Sequence, residues 1–208
     1  MKKGFFITFE GPEGAGKTTH SLLLCNYLRK KGYKVVHTHE PGGTLFTEYI
    51  REILLNPKLN IFPLTELLLY SASRAQHTIE IIKPALKKGN IVVCDRYSDA
   101  TIAYQGYGRK LNLKLIYFLN KIASDGLEPD LTILLDIPPE IGLKRNKNVN
   151  KKDRFEQETL LFHKRVRKGY LELQKQFPER IKLISSIGTV KEIQNKIKLE
   201  IDKFLNKK

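Results

Sequence analysis

Three observations predict an α/β fold built on a five-stranded parallel sheet with helices on both faces. Short β-branched, apolar runs alternate with stretches of helical period from one end of the chain to the other. Ile91-Val92-Val93-Cys94 is apolar at every position, as a strand covered on both sides must be. The first apolar run passes without a gap into a glycine-rich turn and then a helix. With 208 residues and neither internal repeats nor Pro/Ser-rich linkers, the chain is expected to form one domain over 1–208, with a short flexible lid at about 146–154.

Phe5 to Phe9 reads as the first strand. From Gly11 to Thr18 the spacing is G-x-x-x-x-G-K-T. In that pattern Gly11, Pro12, Glu13, Gly14, Ala15 and Gly16 curl the backbone around a polyphosphate, and a helix opens beneath it at Lys17, Thr18 and Thr19. Lys17 is placed to reach the β- and γ-phosphates of a nucleotide and Thr18 to hold magnesium. The strand before the turn and the helix after it separate this from a chance glycine-rich turn.

Ser21, Leu22, Leu23, Leu24, Tyr27 and Leu28 keep helical spacing until Gly32. Val35 to Glu40 makes the second strand, ended by Pro41-Gly42-Gly43, and Thr44 can cap a helix in which Tyr49, Ile50, Ile53 and Leu54 share a face. Thr65 to Lys88 is a long helical pattern punctuated by Pro84 and closed at Gly89; Tyr70, Arg74 and His77 fall on neighbouring turns. Asp95-Arg96-Tyr97 stands at the carboxyl end of the buried strand, the edge where ligands bind in open α/β sheets. A helical piece from Asp99 to Tyr104 runs into the glycine-punctuated Gln105 to Arg109, and a helix follows over Leu113 to Ser124. Leu131 to Asp136 is the fourth strand, and Glu140 to Arg145 starts another helix. Asn146 to Asp153 is polar, basic and aperiodic, and reads as a mobile flap. Phe155 to Phe177 has helical period, Ile181 to Ser185 is the fifth strand, and Val190, Ile193, Ile197, Ile201 and Phe204 form the buried stripe of a last helix.

Lysine and arginine number 37 against 22 acidic residues, a formal charge of +15. A basic surface admits nucleic acid, membrane or small anions as partners. No arginine-aromatic cluster or nucleic-acid reading motif accompanies the charge, so neither a stable nucleic-acid nor a membrane partner is expected. Cys25 and Cys94 are far apart, which indicates neither a zinc site nor a disulfide framework and fits a reducing compartment. The apolar runs are too short for a signal peptide core or a bilayer span, and the expectation is a cytoplasmic protein.

A phosphate loop leaves GTPase, motor, helicase and kinase open. Asn150 to Asp153 matches the guanine-reading N-K-x-D, but it lies in the flap rather than after a buried strand, and no D-x-x-G occurs. The chain also lacks an H-R-D-type loop to take a proton from a hydroxyl acceptor. An acceptor that is itself a phosphate, with a second pKa of about 6, needs no such base. It needs cations, since two anions must be brought into line. Arg74, Arg96, Arg145, Lys147, Lys151, Lys152 and Arg154 are the candidates.

Phe9 to Thr18, Glu40-Pro41-Gly42-Gly43-Thr44, Ser73-Arg74-Ala75-Gln76-His77, Asp95-Arg96-Tyr97, Ala103-Tyr104-Gln105-Gly106, Pro129-Asp130-Leu131-Thr132 and Asp153-Arg154-Phe155-Glu156 together resemble thymidylate kinases of the bacterial type. The resemblance runs from the first strand to the last helix. It implies a P-loop nucleoside monophosphate kinase-like fold, transfer of the ATP γ-phosphate to dTMP with Mg2+ as cofactor, and a homodimer. It also implies roles for single residues: Tyr70 stacks on thymine, Gln105 hydrogen-bonds its edge, and Arg74 and Arg96 hold the acceptor phosphate. Glu13 pairs with Arg96 near the sugar 3′-hydroxyl, Tyr104 fills the space of a ribose 2′-hydroxyl, and Glu40, Pro41 and Thr101 line the acceptor site. Asp95 sits near magnesium or the acceptor site, and the catalytic cation of the flap is Arg154 or Arg145. The rival readings are a deoxynucleoside kinase or other nucleotide kinase and, more remotely, a nucleotide-dependent nucleic-acid-binding module. His39 stands where the bacterial family often has arginine, and Lys147 and Val149 stand at positions that are arginine in some members.

Overall fold

The computed structural model describes residues 4–147 and 153–206. Five strands, β1 (Phe5–Glu10), β2 (Val35–His39), β3 (Ile91–Asp95), β4 (Leu131–Asp136) and β5 (Ile181–Ser185), form one sheet in the order β2-β3-β1-β4-β5. Every pairing is parallel. The helices are α1 (Lys17–Lys30), α2 (Leu45–Leu55), α3 (Pro63–His77), α4 (Lys83–Lys87), α5 (Ser98–Thr101), α6 (Leu113–Ala123), α7 (Pro139–Lys147), α8 (Leu160–Gln176) and α9 (Val190–Asn206).

Each face of the sheet has its own core, because successive side chains of a strand point to opposite sides. Ile7, Phe9 and Val93 pack with Leu24, Cys25 and Leu28 of α1 and with Ile193, Ile197 and Ile201 of α9. Phe6, Val92 and Cys94 turn the other way, against Ile82, Ala85 and Tyr97. A third cluster holds Leu67 of α3, Ile116 of α6 and Phe162, Val166 and Tyr170 of α8 around Tyr104. The register aligns the strand ends: Phe9 and His39 both stand beside Asp95, so β1, β2 and β3 deliver their last residues to one edge.

Four local expectations are corrected. The pattern over Thr65 to Lys88 starts at Pro63 and is interrupted by a π-helical stretch, Thr78–Ile82, with a second such stretch at Ile102–Gly108. The helix expected from Phe155 begins at Leu160 and is capped by the Thr159 hydroxyl, which accepts from Phe162 N–H. Before it the chain turns, because the Asp153 carboxylate accepts from the N–H groups of Phe155 and Glu156 and Phe155 is buried. Val190 is 51% exposed at the start of α9, outside the buried stripe. On α2, Ile50 and Leu54 are buried while Tyr49 and Ile53 remain exposed. The lid expectation falls largely on residues 148–152, outside the described ones.

Candidate active site

The phosphate loop joins β1 to α1, and Gly11, Gly14 and Gly16 all have positive φ. The Lys17 ammonium donates to the carbonyls of Gly11 and Pro12, at 3.0 and 2.8 Å. It is 7% exposed. Burial and the nearby Arg96 charge push its pKa down to about 8 against the pull of Glu13 and Asp95. Beside it the Thr18 hydroxyl donates to Asp95 Oδ2 at 2.5 Å, and Asp95 Oδ1 is buried with no hydrogen-bond partner.

Arg96 follows Asp95 with φ of 69°, a left-handed conformation that a side chain disfavours. Its N–H donates to Phe9 O at 2.9 Å and the next N–H, of Tyr97, to Glu10 Oε1 at 2.7 Å. The buried Glu10 also accepts from the Tyr170 hydroxyl at 2.9 Å. The turn that aims Arg96 is therefore held from β1 and α8. The Arg96 guanidinium donates to Glu13 Oε1 at 2.5 Å, and the Tyr104 hydroxyl donates to the same oxygen at 2.7 Å. Burial would raise the Glu13 pKa, but Arg96 and Lys17 outweigh it and hold the carboxyl at about 2. Edge-on contacts with Phe155, Phe162 and Tyr170 fix the Tyr104 ring.

These groups face one cavity of about 580 Å³. Glu13, Gly14, Gly16, Lys17, Thr18 and Thr19 line it from the phosphate loop, and Glu40 and Pro41 from the end of β2. Tyr70, Arg74, Asp95, Arg96, Thr101, Tyr104 and Gln105 complete the set of expected residues on its wall. Gly11, Pro12 and Ala15 lie in the loop behind that wall. His37, His39, Asn146, Asp153, Phe155 and Glu156 also line the cavity and were not read as site residues from the sequence. Asn146 and Glu156 meet through a 3.1 Å hydrogen bond.

Two expected cations are placed otherwise than the sequence suggested. Arg74 is 1% exposed and commits four of its five N–H groups: to Glu40 at 2.8 Å, Asn120 at 2.6 Å, Tyr97 O at 3.0 Å and Thr101 Oγ1 at 2.9 Å. One N–H is left without a partner among the described residues, and a single donor suits a neutral carbonyl better than a phosphate dianion. Arg154 donates to Leu54 O at 3.0 Å and lies 2.6 Å from Glu66, off the cavity wall. Arg145 instead lies over the phosphate loop, donating to Ser186 O at 3.1 Å and reaching Gly14 O at 3.5 Å. The side chains of Lys147, Lys151 and Lys152 lie outside the described residues.

The family model described as thymidylate kinase matches residues 9–197. The chain belongs to the thymidylate kinase family. It is 48% identical to a thymidylate kinase of Syntrophotalea carbinolica over 209 aligned residues, 97% of each chain. It is 50% identical to one of Geotalea uraniireducens over 198, covering 92% of this chain and 93% of that one. The crystal structure of thymidylate kinase from Ehrlichia chaffeensis matches with a TM-score of 0.78 at 37% identity, over 98% of this chain and 99% of the other. As a thymidylate kinase the chain is a phosphotransferase that uses ATP, and the parallel sheet carrying the phosphate loop is that family's fold. Among the described residues, no helix is long and apolar enough to cross a membrane.

Proposed function

We propose that the chain carries the ATP γ-phosphoryl group to dTMP, giving ADP and dTDP, with the two nucleotides meeting end to end in the 580 Å³ cavity. One observation supports this reading: Lys17, Thr18 and Asp95 line the same cavity as the Glu13–Arg96–Tyr104 cluster, and the two sets meet where Lys17 and Arg96 both donate to the Gly11 carbonyl. The first set suits a polyphosphate. The second suits a phosphorylated deoxynucleoside, because Arg96 offers a guanidinium fork and Tyr104 fills space a 2′-hydroxyl would need.

The acceptor oxygen is already ionised, so these residues position and neutralise rather than move a proton. Lys17 leaves the loop carbonyls for the transferred phosphate, and Arg96 holds the acceptor phosphate while Glu13 steadies the guanidinium. Among the described residues, Arg145 is the donor-side cation of choice, being exposed and already at the Gly14 carbonyl. Tyr70 covers one face of the base, and the free N–H of Arg74, the Thr101 hydroxyl and the Gln105 amide face its edge. Mg2+ fits the Thr18–Asp95 corner, where a buried carboxylate oxygen lacks a partner. Bound there, it would supply neutralisation of charge on the phosphoryl oxygens.

The same reading includes a homodimer. α2 packs on α3 and α3 on α6, and this side of the molecule exposes Phe46 (55%), Tyr49 (58%), Leu68 (49%), Phe118 (62%) and Ile122 (60%). Apolar side chains grouped in this way mark an interaction surface.

A coupled assay of ADP release tests the reaction. Rapid release with dTMP and little with thymidine is expected; preference for thymidine would make the chain a deoxynucleoside kinase.

A further inference from the structure

Glu66 of α3 is fully buried behind Gln105 and lines no part of the cavity. The Gln105 Nε2 donates to its Oε1 at 2.8 Å. Arg109 donates to both of its oxygens, Nε at 3.2 Å and Nη2 at 3.1 Å, and Arg154 Nη2 lies 2.6 Å from Oε2. A carboxylate facing two guanidiniums offers acceptors and nothing else. The amide of Gln105 can therefore turn only its NH2 group toward Glu66, since the reverse orientation would set a carbonyl oxygen against a carboxylate oxygen at the same distance. Its Oε1, to which no described residue donates, is left as the end that meets the cavity.

We propose that Glu66 sets the hydrogen-bond polarity of the base wall, forcing Gln105 to present an acceptor and so to select a pyrimidine with N3–H over one whose N3 is itself an acceptor. The proposal rests on the reading of the cavity as the dTMP site. Thymine and uracil carry a donor at N3 and cytosine a lone pair. Two acceptors pushed together in a site 1% exposed at Gln105 leave both without a partner, which is how buried polar groups reject a near-isostere. Glu66 touches no substrate in this scheme and acts as a positioning residue through Gln105.

The test compares kcat/KM for dTMP with that for 5-methyl-dCMP, which keeps the methyl group and changes only the hydrogen-bonding edge. The wild-type protein should favour dTMP strongly. In Glu66→Gln the new amide turns its oxygen to the arginines and its NH2 to Gln105, so the preference should fall roughly tenfold or more. Arg109→Gln weakens the same buried ion cluster without touching the Gln105 contact; it should lower Tm and keep the preference. A Glu66→Gln protein with undiminished preference, or an Arg109→Gln protein that loses it equally, would overturn the proposal. Should Glu66→Gln not fold, the side-chain NH2 of Gln105 in the 15N-labelled wild-type protein decides. It should shift little when dTMP is added, and a large shift would mean the NH2 faces the base and the polarity is reversed. A wild-type protein that transfers phosphate to neither nucleotide would instead remove the reading of the cavity, and the proposal with it.

Discussion

At the scale of single residues, the site is a set of charges that constrain one another. Lys17 sits between like and unlike partners, and its pKa near 8 follows from burial first and Arg96 second. Gripping a phosphate needs the ammonium form, so affinity for a non-hydrolysable ATP analogue should fall as pH rises through about 8. In Lys17→Ala the affinity should be weaker and flat over the same range, with kcat down by about 10² or more. Calorimetry at pH 7 and pH 9 with both proteins checks the sign. Lys17, Thr18, Asp95 and Arg96 were legible because each sits at a fixed offset from a strand end or inside a fixed loop. The occupation of Arg74 and Arg154 was not. Glu40 lies 34 residues from Arg74, and Asn120 lies 46 residues away, so no local pattern announces that all but one of the guanidinium N–H groups are already taken.

At the scale of elements, α7 meets the phosphate loop backbone to backbone. A Cβ added to Gly142 would stand 2.1 Å from Glu13 O, and one added to Gly14 would stand 2.1 Å from Gly142 O. Two glycines facing each other allow α7 to rest directly on the phosphate loop. In an ordinary helix interior, glycine to alanine is worth about 0.5–1 kcal/mol of added stability. Gly142→Ala should do the opposite, costing about 1–3 kcal/mol by overpacking. Because the strain falls on the loop, binding of the ATP analogue should weaken more than binding of dTMP. Denaturant melts and two titrations check this, and equal weakening of both ligands would show that the contact does not shape the loop. The strands and the long helices were readable from their period, whereas the two π-helical stretches and the start of α8 were not. Phe155 continues the apolar period of that helix, yet the Asp153 side chain and the pull of Phe155 into the third core cluster keep it out.

For the whole molecule, the question is the apolar side formed by α2, α3 and α6. Phe118 is 62% exposed and belongs to none of the three core clusters, so a charge there should leave the fold intact. Sedimentation at micromolar concentration should give a dimer for the wild-type protein and a monomer for Phe118→Glu, with unchanged circular dichroism. A wild-type monomer would leave that surface for another partner. The α/β class, the phosphate loop and the strand edge beside it could be read from the chain alone, because they rest on periodicity and fixed spacing along short stretches, and the likeness to the family rested on motifs spread from the first strand to the last helix. The partners that occupy Arg74 and Arg154, and the contact that turns Gln105 toward Glu66, came from the folded structure alone. Those depend on buried partners brought from distant segments, and a buried charge is defined by what it faces rather than by its neighbours in the chain.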